Sequence, residues 1–232
     1  MKTGGAGPTP FWQGQSRKIL SGKAERRLKE MQDGSLMHAD RKNRAVEDYS
    51  KVVVCATQRS GSTMVCEDLN LVGCGNPNEY FLNWKPKKGV DWEKELDAIL
   101  EKRSVDGRFA VKIMANQLRD IDSCLATFQP ASGYPRYPHL TTFFKDALWV
   151  YVYRDDLLSQ AISHYVARNT GTYHAIKRRI GFIPGRSKQA SRISDAAVPY
   201  NFKEIVREWD VFVRQNLLWT EFFRQNGIKP LV

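Results

Sequence analysis

Five residues suited to holding an anion stand side by side in VVVCATQRSGSTMVCEDL (residues 52–69): Arg59, Ser60, Gly61, Ser62 and Thr63. A guanidinium offers a permanent cation and a planar fork of donors. Glycine lets the backbone turn tightly and approach a ligand closely. The three hydroxyls stand beside the amides that the first turn of a following helix leaves without partners. Such a terminus is a ready anion site, and the chemistry it indicates is capture of a phosphate-like group. The order is not that of a Walker A loop. G-x-x-x-x-G-K-S/T requires an earlier glycine and a lysine, and this chain has Thr57 and Arg59 near those places.

Lys112 is a second candidate. It ends the apolar run of RFAVKIM (108–114), where a charged side chain is expected to project toward the ligand edge of a sheet and touch an acceptor or a transferred group. The alternative is a lysine whose stem snorkels along the surface. The four histidines, His38, His139, His164 and His174, show no metal-ligand spacing with cysteine or acidic residues, and no metal is expected.

Placing the 59–63 loop takes a strand before it and a helix after it. Val52 to Ala56 are β-branched or small and read as a buried strand, while Met64, Val65, Leu69 and Val72 recur at helical spacing. GCGNPNEYFLNWKPKKG (73–89) reads as a loop. Residues 91–103 then read as a helix, 108–114 as a strand, 116–128 as a helix and ALWVYVY (147–153) as a strand. RDDLLSQAISHYVARN (154–169) reads as an amphipathic helix carrying Leu157, Leu158, Ala161, Ile162 and Tyr165. A basic loop at 171–200, read as a lid that closes on substrate, precedes a long helix. The expected apolar stripe of that helix is Phe202, Ile205, Trp209, Phe212, Val213, Leu217 and Phe223. Strand and helix alternate throughout, which predicts an α/β fold of parallel β-α-β units with ligands at the carboxyl ends of the strands. The terminal GIKPLV reads as the opening of another strand, so the domain at 50–232 is expected to lack its C-terminal elements. Ahead of it, residues 1–49 form a basic arm with a helical segment at 24–32, either a contact surface or a solvated extension.

Composition narrows the class. The chain of 232 residues is long enough for one large domain. Its 36 Lys and Arg against 25 Asp and Glu leave a net charge of +11, which favours an anionic partner without choosing among nucleotide, nucleic acid, membrane surface and acidic glycan. Four cysteines, Cys55, Cys66, Cys74 and Cys124, form no C-x-x-C pair and read as reduced thiols. With no apolar signal core and no run of about 18 apolar residues, the expectation is a soluble cytoplasmic protein.

TQRSGST (57–63) resembles the 5′-phosphosulfate loop of sulfotransferases. With NPNEYF (76–81), VKIM (111–114), RDDLLSQAIS (154–163) and ARNTGTYH (167–174) in the same order, the chain is similar to the bacterial trehalose 2-sulfotransferase-like family. The resemblance implies a P-loop-like, three-layer α/β/α domain with a central, mainly parallel sheet. It implies 3′-phosphoadenosine-5′-phosphosulfate (PAPS) as donor and a carbohydrate or glycolipid hydroxyl as acceptor, of trehalose type or already anionic, such as a lipopolysaccharide or capsular sugar. A homodimer is a further implication, and peripheral contact with a membrane surface is compatible with the charge.

The resemblance makes Glu79 the candidate general base, the alternatives being a surface glutamate or the partner of a nearby lysine. It assigns Arg154 and Ser163 to the 3′-phosphate, with Ser159 as substitute for Ser163 because the spacing is one residue longer than in the eukaryotic pattern. Arg154 could instead pair with Asp155 or Asp156. Tyr173 stands where the family often has tryptophan and can stack or donate a bond, whereas Ala115 removes a large ring near the acceptor. Arg59 and the amides of Ser60 to Thr63 would stabilise charge on the departing phosphate.

Two other functions fit parts of the chain. WVYVYRDD (149–156), an apolar strand followed by aspartate, suits a nucleotide kinase or triphosphatase. HAIKRRIGFIPGRSKQASR (174–192) suits a non-enzymatic binder of nucleic acid or acidic glycan, although no recognised nucleic-acid module is present and none is expected as partner.

Overall fold

Three valines in succession, Val52 to Val54, are stiff at χ1 and suit a strand covered on both faces. In the computed structural model they form the middle of β1 (Lys51–Ala56), whose last five residues are fully buried. The structure describes residues 49–131, 133, 136–171, 173 and 198–232. The N-terminal arm with its expected helix at 24–32, His38, His174 and nearly all of the basic loop lie outside the described residues.

β1 is the centre of a three-stranded parallel sheet, between β2 (Phe109–Met114) and β3 (Leu148–Val152). Val54 stands opposite Lys112 on one side and Val150 on the other. The α/β fold read from the alternation of elements is present, with helices flanking a parallel sheet. Single parallel bridges continue it at both margins, Asn78 with Val111 and Leu231 with Val150. The second lies in GIKPLV and is closed by two bonds of 2.7 Å, from Tyr151 N–H to the Leu231 carbonyl and from Leu231 N–H to that of Trp149.

Alternate residues of each strand face opposite ways. Val53, Cys55, Val111, Ile113, Trp149 and Tyr151 enter the larger core. It is completed by α2 (Trp92–Arg103), α3 (Leu118–Leu125), α4 (Pro138–Phe143) and α6 (Phe202–Gln225). Val52, Ala110 and Leu148 face the other way, toward Leu69 of α1 (Ser62–Leu71). The remaining helix, α5 (Leu157–Thr170), packs along α6. Among the described residues, no helix is long and apolar enough to cross a membrane.

Several local expectations change. The helix expected at 116–128 is a 3-10 turn, Ala115–Gln117, followed by α3. α4 falls where no element was expected. Its start is held from a distance, because Asp122 of α3 accepts from the amides of His139 and Leu140 at 3.0 and 2.9 Å. In α5, Leu158 and Ile162 are exposed, and the buried positions are Leu157, Gln160, Ala161, Tyr165, Ala167 and Thr170. In α6, Phe202 is exposed, Trp209 and Leu217 are half-buried, and Glu208, Asn216, Trp219 and Phe222 join the buried face. Polar residues can occupy that face because each finds a partner: Tyr151 donates to Asn216 at 3.1 Å, and Glu208 accepts from α5. All four cysteines are buried and unbridged.

Candidate active site

The loop between β1 and α1 is anchored from two helices. The indole N–H of Trp219 in α6 donates to the carbonyl of Ala56 at 3.0 Å. Gln160 of α5, fully buried, donates to Thr57 Oγ1 at 2.9 Å and to the Gln58 carbonyl at 2.5 Å. Beyond these anchors the backbone enters the left-handed region twice, at Arg59 (φ 62°) and Gly61 (φ 93°). Glycine tolerates that geometry. A side-chain-bearing residue there costs about 1–2 kcal/mol, so Arg59 is held against a local preference. Gly61 caps α1 without a side-chain hydrogen bond, and its carbonyl accepts from Met64 N–H at 3.0 Å, so the amides of Ser62 and Thr63 are those the first turn offers to another acceptor. Ser62 is buried, Thr63 half-buried, and the hydroxyl of Ser60 is buried with no hydrogen-bond partner among the described residues.

Arg59 reaches across to α5 and to the segment behind it. Its Nε donates to Ser163 Oγ at 2.9 Å, and its Nη1 donates to the Tyr173 carbonyl. Burial first, then the nearby charge of Arg154, pushes the Arg59 guanidinium below its usual value. Among the described residues neither arginine makes an ion pair with a carboxylate, and Asp156 is occupied otherwise. It caps α5, accepting from the Ser159 amide at 2.9 Å and from its hydroxyl at 2.5 Å. Ser159 is thereby committed to the cap, while Ser163 lies beside Arg59. Two neighbouring cations, the opening of a helix and a buried hydroxyl are together suited to an anion.

The second cluster lies against β2. The Asn78 carbonyl accepts from Lys112 N–H at 3.0 Å, and this bridge places the next residue, Glu79, over the strand. Lys112 Nζ stands 3.1 Å from Glu79 Oε1, the lysine buried and the glutamate largely so. Lys112 therefore sits within β2, where the sequence reading had it end the strand, and it is not a snorkelling surface lysine. Gln117 was not singled out from sequence. Its Oε1 accepts from Met114 N–H at 2.9 Å, and its Nε2 donates to Glu79 Oε2 at 3.4 Å, so each carboxylate oxygen faces a donor. No local signal marks it, since its role depends on the turn after β2.

Cys66 connects the clusters. It lies one turn after Ser62 on the buried face of α1, and its thiol is pushed up to about 11, by burial first and with smaller opposed effects from Lys112 and Glu79. The carboxylate–ammonium pair is therefore close to that face of the helix. The two arrangements offer complementary chemistry: an anion receptor of arginines, hydroxyls and amides, and an oriented carboxylate able to accept a proton.

A family model described as Stf0 sulphotransferase matches residues 51–232 of this chain. The trehalose 2-sulfotransferase of Mycobacterium tuberculosis (strain ATCC 35801 / TMC 107 / Erdman) is 25% identical over 227 residues, an alignment covering 82% of this chain and 77% of that protein.

Proposed function

This chain belongs to the Stf0 sulphotransferase family, whose members are enzymes, and we propose that it transfers a sulfuryl group from PAPS to a carbohydrate hydroxyl. The observation that carries the reading is Arg59, held between Ser163 and the Tyr173 carbonyl beside Arg154, at the N-terminal end of α1. The residues fit an anionic donor, because among the described residues the buried Ser60 hydroxyl has no hydrogen-bond partner and neither Arg59 nor Arg154 is paired with a carboxylate.

When bound, PAPS supplies an activated sulfuryl group whose departure leaves 3′,5′-ADP. Arg59, Ser60, Gly61, Ser62 and Thr63 bind the 5′ side and stabilise charge on the leaving oxygen. Arg154 and Ser163 hold the 3′-phosphate, and Tyr173 contributes its carbonyl to the orientation of Arg59. Glu79 takes the proton of the acceptor hydroxyl as its oxygen bonds to sulfur. Lys112 acts through Glu79, holding its carboxylate in place from 3.1 Å. Positioning and charge stabilisation then carry most of the rate, as in phosphoryl transfer. A sugar acceptor is supported by the name of the mycobacterial relative and by the excess positive charge, which suits an acceptor that is itself anionic or a trehalose-type glycolipid precursor.

Calorimetric titration with 3′,5′-ADP, ATP and 5′-AMP, without magnesium, tests the donor site. Clear preference for 3′,5′-ADP, lost in Arg154→Ala, supports the reading. Equal binding of all three, or binding of ATP only once magnesium is added, sinks it in favour of a polyanion binder or a nucleotide kinase.

A further inference from the structure

Glu208 is a buried carboxylate on the apolar face of α6, between Ile205 and Phe212. Burying a charge there is expensive, and an apolar side chain of similar size stabilises such a place as well or better. The chain instead sets two donors against it from α5, one turn apart. His164 Nδ1 stands 2.8 Å from Glu208 Oε2, and Arg168 Nη1 donates to Oε1. The imidazole is then fixed on three sides. Its Nδ1 meets Glu208, and its ring meets Phe212 edge-on at 5.4 Å and Tyr173 edge-on at 6.3 Å. Two neighbours of His164, Ser163 and Tyr173, lead to Arg59. Ser163, adjacent in α5, accepts from its Nε, and the Tyr173 carbonyl accepts from its Nη1.

We propose that Glu208 is a positioning residue for the donor site, fixing His164 and through it the Ser163 and Tyr173 acceptors that aim the Arg59 guanidinium. The inference rests on the donor-site reading above. It also makes a prediction opposite in sign to simple electrostatics. Glu208 is an anion near an anion site, so neutralising it would by charge alone strengthen anion binding. A positioning role requires the reverse.

The test is a double-mutant cycle in the full chain, Glu208→Gln and Arg59→Lys singly and together, with calorimetric affinity for 3′,5′-ADP as readout. Glu208→Gln is expected to weaken binding by about tenfold when Arg59 is present, the size usual for partners that orient binding groups. It should change binding by less than about twofold in the Arg59→Lys background, where no fork remains to be aimed. If Glu208→Gln does not fold, His164→Asn goes through the same cycle, since it keeps a donor toward Glu208 and loses the ring beside Tyr173. Tighter or unchanged binding in the single variant, or equal weakening in both backgrounds, overturns the inference while leaving the donor site intact. A wild type that does not bind 3′,5′-ADP removes the donor-site reading itself and this inference with it.

Discussion

Replacing Lys112 with methionine keeps an unbranched stem in β2 and deletes the one cation facing Glu79 among the described residues. The side chains of the pair are 5% and 11% exposed at a separation of 3.1 Å. At that distance and an effective dielectric constant of about 20, their attraction is on the order of 5 kcal/mol. Breaking a buried pair from one side typically costs about 3–5 kcal/mol, because the survivor is left desolvated and unpaired. Glu79 retains the Gln117 contact at 3.4 Å, so the lower end applies, about 3 kcal/mol. For a domain of this size that lowers Tm by roughly 6–12 °C. Denaturant unfolding at pH 7 of Lys112→Met, Glu79→Leu and the double variant measures it. The double variant should recover to within about 1 kcal/mol of the wild type, since an apolar pair replaces an ion pair. A Lys112→Met variant within about 1 kcal/mol of wild type at pH 7, or a double variant as unstable as the sum of the singles, would refute the claim that the pair is desolvated and mutually dependent.

Other consequences can be checked alongside. Arg59→Ala should weaken 3′,5′-ADP binding roughly ten- to a hundredfold, the loss expected for charge-assisted hydrogen bonds to an anion, read by the same calorimetry. Gly75→Ala should destabilise more than Gly61→Ala in denaturant unfolding: both glycines have positive φ, but a Cβ at 75 meets the Ala110 Cβ at 2.7 Å, whereas at 61 it meets nothing within 4 Å. Asp156→Ala should cost about 1 kcal/mol at neutral pH as a lost helix cap. The Ser159 hydroxyl and amide hold the Asp156 carboxyl below its usual range, so this contribution is present above the ordinary carboxylate range and fades as pH falls through the depressed value. The folded chain should show no fast-reacting thiol at pH 8 by colorimetric titration, with all four appearing in denaturant, since each cysteine is buried and Cys66 is pushed up to about 11.

What the sequence alone determined is whatever neighbours along the chain decide. A run of valines, a glycine between hydroxyl residues, then apolar residues at helical spacing define strand, turn and helix within one short segment, because each preference is local. Alternation of such segments implies parallel pairing, and GIKPLV shows its strand character in its own residues. The tertiary structure decided what depends on partners distant in sequence. Ser159 and Ser163 are alike as residue types, and only the packing of α5 commits one to the Asp156 cap and sets the other beside Arg59. Glu79 is an unremarkable glutamate in a loop until the Asn78 bridge to β2 sets it over Lys112 and within reach of Gln117. Glu208 interrupts an apolar stripe that periodicity would have continued through Trp209, because the donors that make its burial tolerable stand on another helix. A buried polar group is stable only through its partners, and those partners are supplied by the fold.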